Sequence, residues 1–222
     1  MDAFHDGAAT VLTVTLDEAA RALTIELDDG SSFTVAPDAP EARGLTPGLS
    51  VAPELHEALR TADDRKRIAK RVFGWLDRRP RCRADLRRRL LERGHDERAI
   101  DTVLERFQEQ GLVDDRAFAH AWVEQAMRRR PVGRRWLWSK LRQQGVDDEI
   151  AREAVDAALE GDDELEAARR ALAKRRLDLD DRRQREKALR FLQQRGFASA
   201  IAARVLRERS VEGTHDPGDG LA

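Results

Sequence analysis

Three glycines, Gly94, Gly145 and Gly196, recur at a constant interval of 51 residues. The same offset relates Leu90, Leu141 and Leu192, then Ala99, Ile150 and Ile201, then Leu104, Val155 and Leu206. Each glycine follows a helical stretch and precedes a polar start to another, as the glycine just past a helix C-terminus does. Self-similarity at a fixed period of this size constrains the fold more than any local propensity, because each copy must be one supersecondary unit. The expected fold is mainly α: three tandem three-helix, helix-turn-helix-like repeats of about 51 residues. Between the first two copies the offset also carries Arg78-Arg79-Pro80 onto Arg129-Arg130-Pro131, Arg83 onto Arg134, and Leu86 onto Leu137. The third copy lacks the Arg-Arg-Pro element, which marks it as diverged or as a cap.

A different period precedes the repeats. Leu12, Val14 and Leu16 alternate, then Leu23, Ile25 and Leu27, then Phe33 and Val35, as half-buried strands do. Asp28-Asp29-Gly30-Ser31 is a hairpin turn signal between the second and third runs. A small antiparallel β-meander is therefore expected, packed on the next segment of the chain because three short strands hide little apolar area. Prolines 37, 40, 47 and 53 and glycines 44 and 48 mark a connector. The expected organisation is the meander and connector in 1–50, a lead helix plus repeat 1 in 51–111, repeat 2 in 112–161, repeat 3 in 162–209, and a disordered Gly-, Pro- and acid-rich tail in 210–222.

Charge is distributed unevenly along the 222 residues. Residues 1–64 carry 3 basic and 13 acidic side chains, a net of −10. Residues 65–142 carry 23 and 11, a net of +12, and residues 143–222 return to −3. A cationic middle in a nearly neutral chain points to an anionic partner. Only 5 of the 41 basic residues are Lys; the Arg fork suits phosphate and carboxylate, although a GC-rich genome would also favour Arg. The single Cys82 excludes an internal disulfide framework and suits a reducing cytosol. No apolar run approaches a membrane span, and the acidic first residues do not read as a secretory signal. A cytoplasmic protein without membrane contact is expected.

The recurring basic residues form the candidate binding set. Arg78, Arg79, Arg81, Arg83, Arg87 and Arg88 surround the turn and second helix of repeat 1. Arg129, Arg130, Arg134 and Arg135, with Trp136 and Lys140, do so in repeat 2. Two cationic patches at equivalent places suit a periodic polyanion or an acidic groove; the alternative is a solvated face paired to Asp85, Glu92 and Glu124. Helical geometry turns Trp136 away from Leu137 and Leu141, and its counterparts Asp85 and Lys187 are polar, so it is expected to face solvent. The alternative is that it covers the neighbouring repeat. Trp75 and Trp122 read as core, and the side of Trp138 is ambiguous. Asp114 and Asp115 look like helix-capping acids rather than catalytic or metal-binding ones. The five His residues lack ligand spacing, and no phosphate-cradling Gly-rich motif is present. No catalytic constellation and no cofactor are expected.

Gly111-Leu112-Val113-Asp114-Asp115-Arg116-Ala117-Phe118-Ala119 is followed by Trp122-Val123, Gly133, Leu137, Leu141 and Gly145-Val146. Preceded by Arg79-Pro80 and Asp85-Leu86, this order resembles the RecX family of regulators of the RecA recombinase, over about residues 66–209. The strand-rich head resembles the extension of longer family members. The resemblance implies a non-enzymatic modulator of recombination and DNA repair, and a monomer is expected. Such proteins lie in the groove of the RecA–single-stranded DNA filament and inhibit ATP hydrolysis, filament growth and strand exchange. Duplex DNA is implied as a weaker partner. Cys82 stands where the family commonly has Ser, and Asp85 where it has Glu, which leaves a poorer capping box at a cost of about 1 kcal/mol. Two other readings stay open: a helix-turn-helix regulator of duplex DNA, and a helical adaptor whose charges only solubilise it.

Overall fold

A computed structural model describes residues 8–161, 163–173, 175, 177, 179 and 181–213. The chain divides into two compact units, one of Met1–Arg81 with Asp85–Val113 and one of Cys82–Ala84 with Asp114–Ala222.

The first unit begins with strands β1 (Ala9–Asp17), β2 (Ala22–Leu27) and β3 (Ser32–Val35). The connector is not featureless: it contains a 3-10 turn at Pro40–Ala42 and a two-residue strand β4 (Ser50–Val51). The sheet has four strands in the order β3-β2-β1-β4, all pairs antiparallel. Gly30, at φ +85°, turns β2 into β3, and the Asp29 carboxylate accepts the Ser31 N–H at 2.8 Å. One expectation fails in β1. Its register shifts between Val11 and Thr13, so Val11 is buried and Leu12 is 55% exposed, while Val14 still packs on the core; Leu16, opposite Leu23 near the end of the strand, stays 52% exposed. A bulge inserts one residue into the period-2 alternation and so exchanges the two faces.

The inner face of the sheet, with Ile25, Leu27, Phe33 and Val35, closes on Leu59 and Ala62 of helix α1 (Pro53–Leu76). Pro53 begins α1, where its missing N–H costs nothing. Further along, Ile68 and Val72 of the same helix enter a second core, formed with α2 (Arg83–Leu91) and α3 (Glu97–Glu109). One 24-residue helix thus serves both the meander and the first repeat. Phe73 of the same helix is half exposed and lies against Phe107 at 4.7 Å between centroids.

The second unit holds α4 (Asp115–Arg129), α5 (Arg134–Gln144) and α6 (Asp148–Ala158), then α7 (Asp163–Ala173), α8 (Arg182–Gln194) and α9 (Ser199–Gly213). The repeat is visible in burial. Leu90, Leu141 and Leu192 are fully buried, as are Leu86 and Leu137, with Ala188 at the third position. Gly94, Gly145 and Gly196 all have positive φ, at +76°, +89° and +83°, the left-handed conformation that ends a helix without a Cβ penalty. Helix α9 runs to Gly213, past the expected start of the tail at Ser210; residues 214–222 lie outside the described residues.

Within this unit the second and third repeats interlock through the main chain. Gly133 N–H donates to the Arg195 carbonyl at 2.9 Å, and Arg135 N–H donates to the Gly196 carbonyl at 3.1 Å. The Arg134 N–H goes to the buried Glu164 carboxylate of α7 at 3.1 Å. The first-turn donors of α5, which no residue of α5 could satisfy, are thereby met by the following repeat.

Candidate functional site

Helix capping positions the acids that the sequence singled out. Asp114 caps α4 by accepting the Ala117 N–H at 2.9 Å. Asp115 does something else: half-buried, it accepts the Arg83 N–H at 2.7 Å and so satisfies the first donor of α2. Burial raises the Asp115 carboxyl above its ordinary range, and the Arg83 hydrogen bond and charge offset part of that rise. Cys82 is buried and donates its thiol to the Gln144 carbonyl at 3.3 Å. The missing capping box at Cys82 and Asp85 is thus replaced by Asp115, a contact between residues 32 positions apart.

In the first unit Asp85 gathers three arginines. Arg81 reaches it at 2.6 Å, Arg88 at 2.5 Å and Arg89 at 2.9 Å. Arg81 and Asp85 expose only 11% and 15% of their side chains, so this pair is structural. Arg87 is spent on Asp101 and Glu97. Arg78 and Arg79 follow the end of α1, are exposed, and have no carboxylate within ion-pair distance among the described residues. Burial alone would raise the Asp85 carboxyl, but the hydrogen bonds and charges of Arg89 and Arg81 outweigh it and hold the group below the usual carboxylate range. A depressed folded-state value contributes stability above the unfolded value, and that contribution is lost as pH falls through the folded value. Asp85→Asn should therefore remove about 3 kcal/mol near neutrality, by stranding the nearly buried Arg81 charge. The deficit should shrink in acid, as pH falls through the folded value. Urea melts of both proteins at pH 7 and through a descending acid series read this; a deficit that stays constant across the series would contradict it.

In the second unit Arg134 is likewise paired, though partly exposed, bound to Asp156, to Glu164 at 3.6 Å and to the Leu159 carbonyl at 3.0 Å. Arg83 is half-buried at the start of α2. Arg129, Arg130 and Arg135 are exposed and have no carboxylate partner among the described residues. Lys140 donates to the Gln143 side chain at 2.9 Å. The expected rims are therefore partly neutralised from within: Arg81, Arg87, Arg88 and Arg134 have acidic partners. Arg78, Arg79, Arg129, Arg130 and Arg135 keep their charge available.

Trp136 corrects an expectation. It is half-buried rather than solvent-facing, stacked on Trp122 at 6.0 Å and 19° between ring planes. Arg130 lies over its ring at 4.4 Å, and its backbone abuts Gly196 of the next repeat. The polar counterparts Asp85 and Lys187 mislead here, because Trp136 fills a place beside a following glycine turn. Trp75 and Trp122 pack on their cores as expected, each with part of its surface open. Trp138, ambiguous in sequence, donates its indole N–H to Asp148 at 2.9 Å.

Two further arginines join Arg130 in this unit, and sequence reasoning passes over both. Arg175 and Arg195 lie against the ring of Phe191, at 3.8 and 4.7 Å from its centroid. The repeat offset pairs Arg195 with Gln144 and Arg175 with Glu124, so periodicity gives no signal for either. Among the described residues, no group of three or more His, Cys, Asp or Glu is placed to hold a metal ion. No helix of the described residues is long and apolar enough to cross a membrane.

Three family models match the chain in order: the RecX first three-helix domain over residues 70–107, the second over 114–155 and the third over 162–206. The chain belongs to the RecX family. Regulatory protein RecX of Thermobifida fusca (strain YX) is 37% identical over 174 residues, which cover 77% of this chain and 89% of that protein. Regulatory protein RecX of Streptomyces coelicolor is 38% identical over 142 residues, 62% of this chain and 74% of the relative. A crystal structure of regulatory protein RecX superposes with a TM-score of 0.70 at 22% identity, covering 89% of this chain and 98% of that one. RecX from Lactobacillus salivarius gives a TM-score of 0.62 at 21% identity, over 68% and 99% of the two chains. At that identity the two structures speak to fold alone. The RecX match over 162–206 includes the copy that lacks Arg-Arg-Pro, so that copy is a family domain in its own right.

Proposed function

We propose that this chain is a non-enzymatic regulator that binds the RecA–single-stranded DNA filament and restrains ATP hydrolysis, filament growth and strand exchange. The observation that carries the reading is the set of exposed arginines without carboxylate partners among the described residues, Arg78 and Arg79 in one unit and Arg129, Arg130 and Arg135 in the other. Family membership supplies the regulatory context, and the partner is inferred from the resemblance together with that charge. Exposed cations without a carboxylate partner among the described residues break no ion pair on meeting an anionic surface, whereas Arg81 and Arg134 would first have to break theirs.

The duplex-reader alternative fits less well. A helix-turn-helix reader presents its second helix to base edges. Here α2 and α5 spend Arg87, Arg88 and Arg134 on carboxylates. Titrating the chain into RecA with single-stranded DNA should lower ATP hydrolysis progressively. Unchanged hydrolysis at several-fold molar excess, together with sequence-specific retention of duplex in the absence of RecA, would replace this reading with the alternative.

A further inference from the structure

Three guanidinium groups of the second unit converge where the second and third repeats interlock. Arg130 lies over Trp136, while Arg175 and Arg195 share the ring of Phe191. Arg195 is fixed in place, its Nη1 donating to the Pro131 carbonyl at 3.0 Å, directly after Arg130 in the chain. Their backbones are held as well: the Arg195 carbonyl accepts from Gly133, and the Arg175 carbonyl accepts from Arg209. None of the three has a carboxylate within ion-pair distance among the described residues, whereas Arg67, Arg89, Arg169 and Arg204 each do. Burial lowers the Arg195 guanidinium below its ordinary range, and the charges of Arg130 and Arg175 push it further in that direction. Like charges gathered with no carboxylate partner among the described residues, and held there by aromatic rings and main-chain carbonyls, suit an anionic ligand.

We propose that Arg130, Arg175 and Arg195 form a phosphate site that takes the backbone of a single-stranded nucleic acid. The chemistry fits the guanidinium fork, which binds phosphate oxygens bidentately while its face rests on a ring. A strand backbone fits better than an acidic protein surface. The Trp136 ring is already flanked by Trp122 and Arg130, and the Phe191 ring is contacted by two guanidinium groups. A protein partner would look here for apolar and aromatic area to bury. A phosphodiester needs only donors and charge. The site should also be indifferent to base identity, because no free aromatic face remains for stacking. The inference deepens the filament reading and rests on it for its biological setting, assigning the DNA strand to this part of the second unit.

The test uses the full chain and labelled oligothymidylate and oligoadenylate without RecA, titrated across a range of chloride concentrations. The slope of log affinity against log salt should fall by roughly 0.7 for each of Arg130→Gln, Arg175→Gln and Arg195→Gln, and by roughly 2 in the triple variant. The two oligonucleotides should behave alike. Arg195→Gln also loses the bond to Pro131, so a thermal melt accompanies it; should it unfold, the exposed Arg130→Gln and Arg175→Gln carry the test. Displacement of the strand by inorganic phosphate at matched ionic strength would show that the site also accepts free phosphate, and resistance to it would assign the polymer alone. Either result supports the phosphate assignment. An unchanged slope in Arg130→Gln and Arg175→Gln, or no strand binding by the wild type, overturns it. So does triad-dependent binding of polyglutamate with none of the oligonucleotides. Because RecA is absent, such a failure would leave the filament reading standing on its own ATPase titration.

Discussion

Gly196→Ala should be among the most destabilising single substitutions in the second unit, costing on the order of 3 kcal/mol. Two penalties coincide there. The residue sits at φ +83°, where an L side chain costs about 1–2 kcal/mol. A methyl group built on it would stand 2.5 Å from the Trp136 Cβ and 2.8 Å from its Cα, and these atoms belong to a helix and cannot swing away. Overpacking of that kind adds about 1–3 kcal/mol. Gly133→Ala separates the two terms: its φ of −91° is ordinary, but its added carbon would stand 2.5 Å from the Gly196 carbonyl. Gly94→Ala supplies the opposite case, with φ +76° and open space around it. Chemical denaturation should rank Gly196→Ala as the most damaging of the three. A Gly196→Ala protein no less stable than Gly94→Ala would show that the two repeats are not locked at this turn.

Much of the fold is legible because the chain repeats itself. One interval locates three left-handed glycines and the fully buried leucines four residues before them, since each copy solves the same packing problem. The meander is legible from alternation, but the bulge in β1 is not, because no composition cue marks an extra residue in a strand. Of the candidate site, the clustering of arginine is visible in sequence, and its consequences are not. Asp85 reads as a weak cap and is instead a hub for three arginines, because Arg81 four residues before it and Arg88 and Arg89 three and four after it all reach its carboxylate. Trp136 is misread by comparison with polar counterparts, since the repeats differ in what covers their second helix. Arg175 and Arg195 depend on Phe191 and on a turn of the third repeat, a convergence of distant residues that no spacing announces.

The arginines divide into those bound inward and those left for a partner, and this division has a large expected effect. Arg78, Arg79, Arg129 and Arg135 are exposed, have no carboxylate partner among the described residues, and lie outside the Arg130–Arg175–Arg195 cluster. Replacing all four with Gln removes four charges from two units while sparing the ion pairs that hold α2 and α5. Surface substitutions of this kind change stability by no more than about 0.5 kcal/mol each. If these side chains face phosphates, the salt slope of filament association should fall by roughly 3, because each contact on a single strand contributes about 0.7. The most direct test is therefore the association of the wild type and of Arg78→Gln/Arg79→Gln/Arg129→Gln/Arg135→Gln with RecA–single-stranded DNA filaments across a salt series, with ATP hydrolysis followed in parallel. The predicted result is a variant with a near-native melt, a markedly shallower salt slope and a much weakened effect on hydrolysis. A variant that binds with the wild-type slope and restrains hydrolysis as well as the wild type would contradict this division of the arginines.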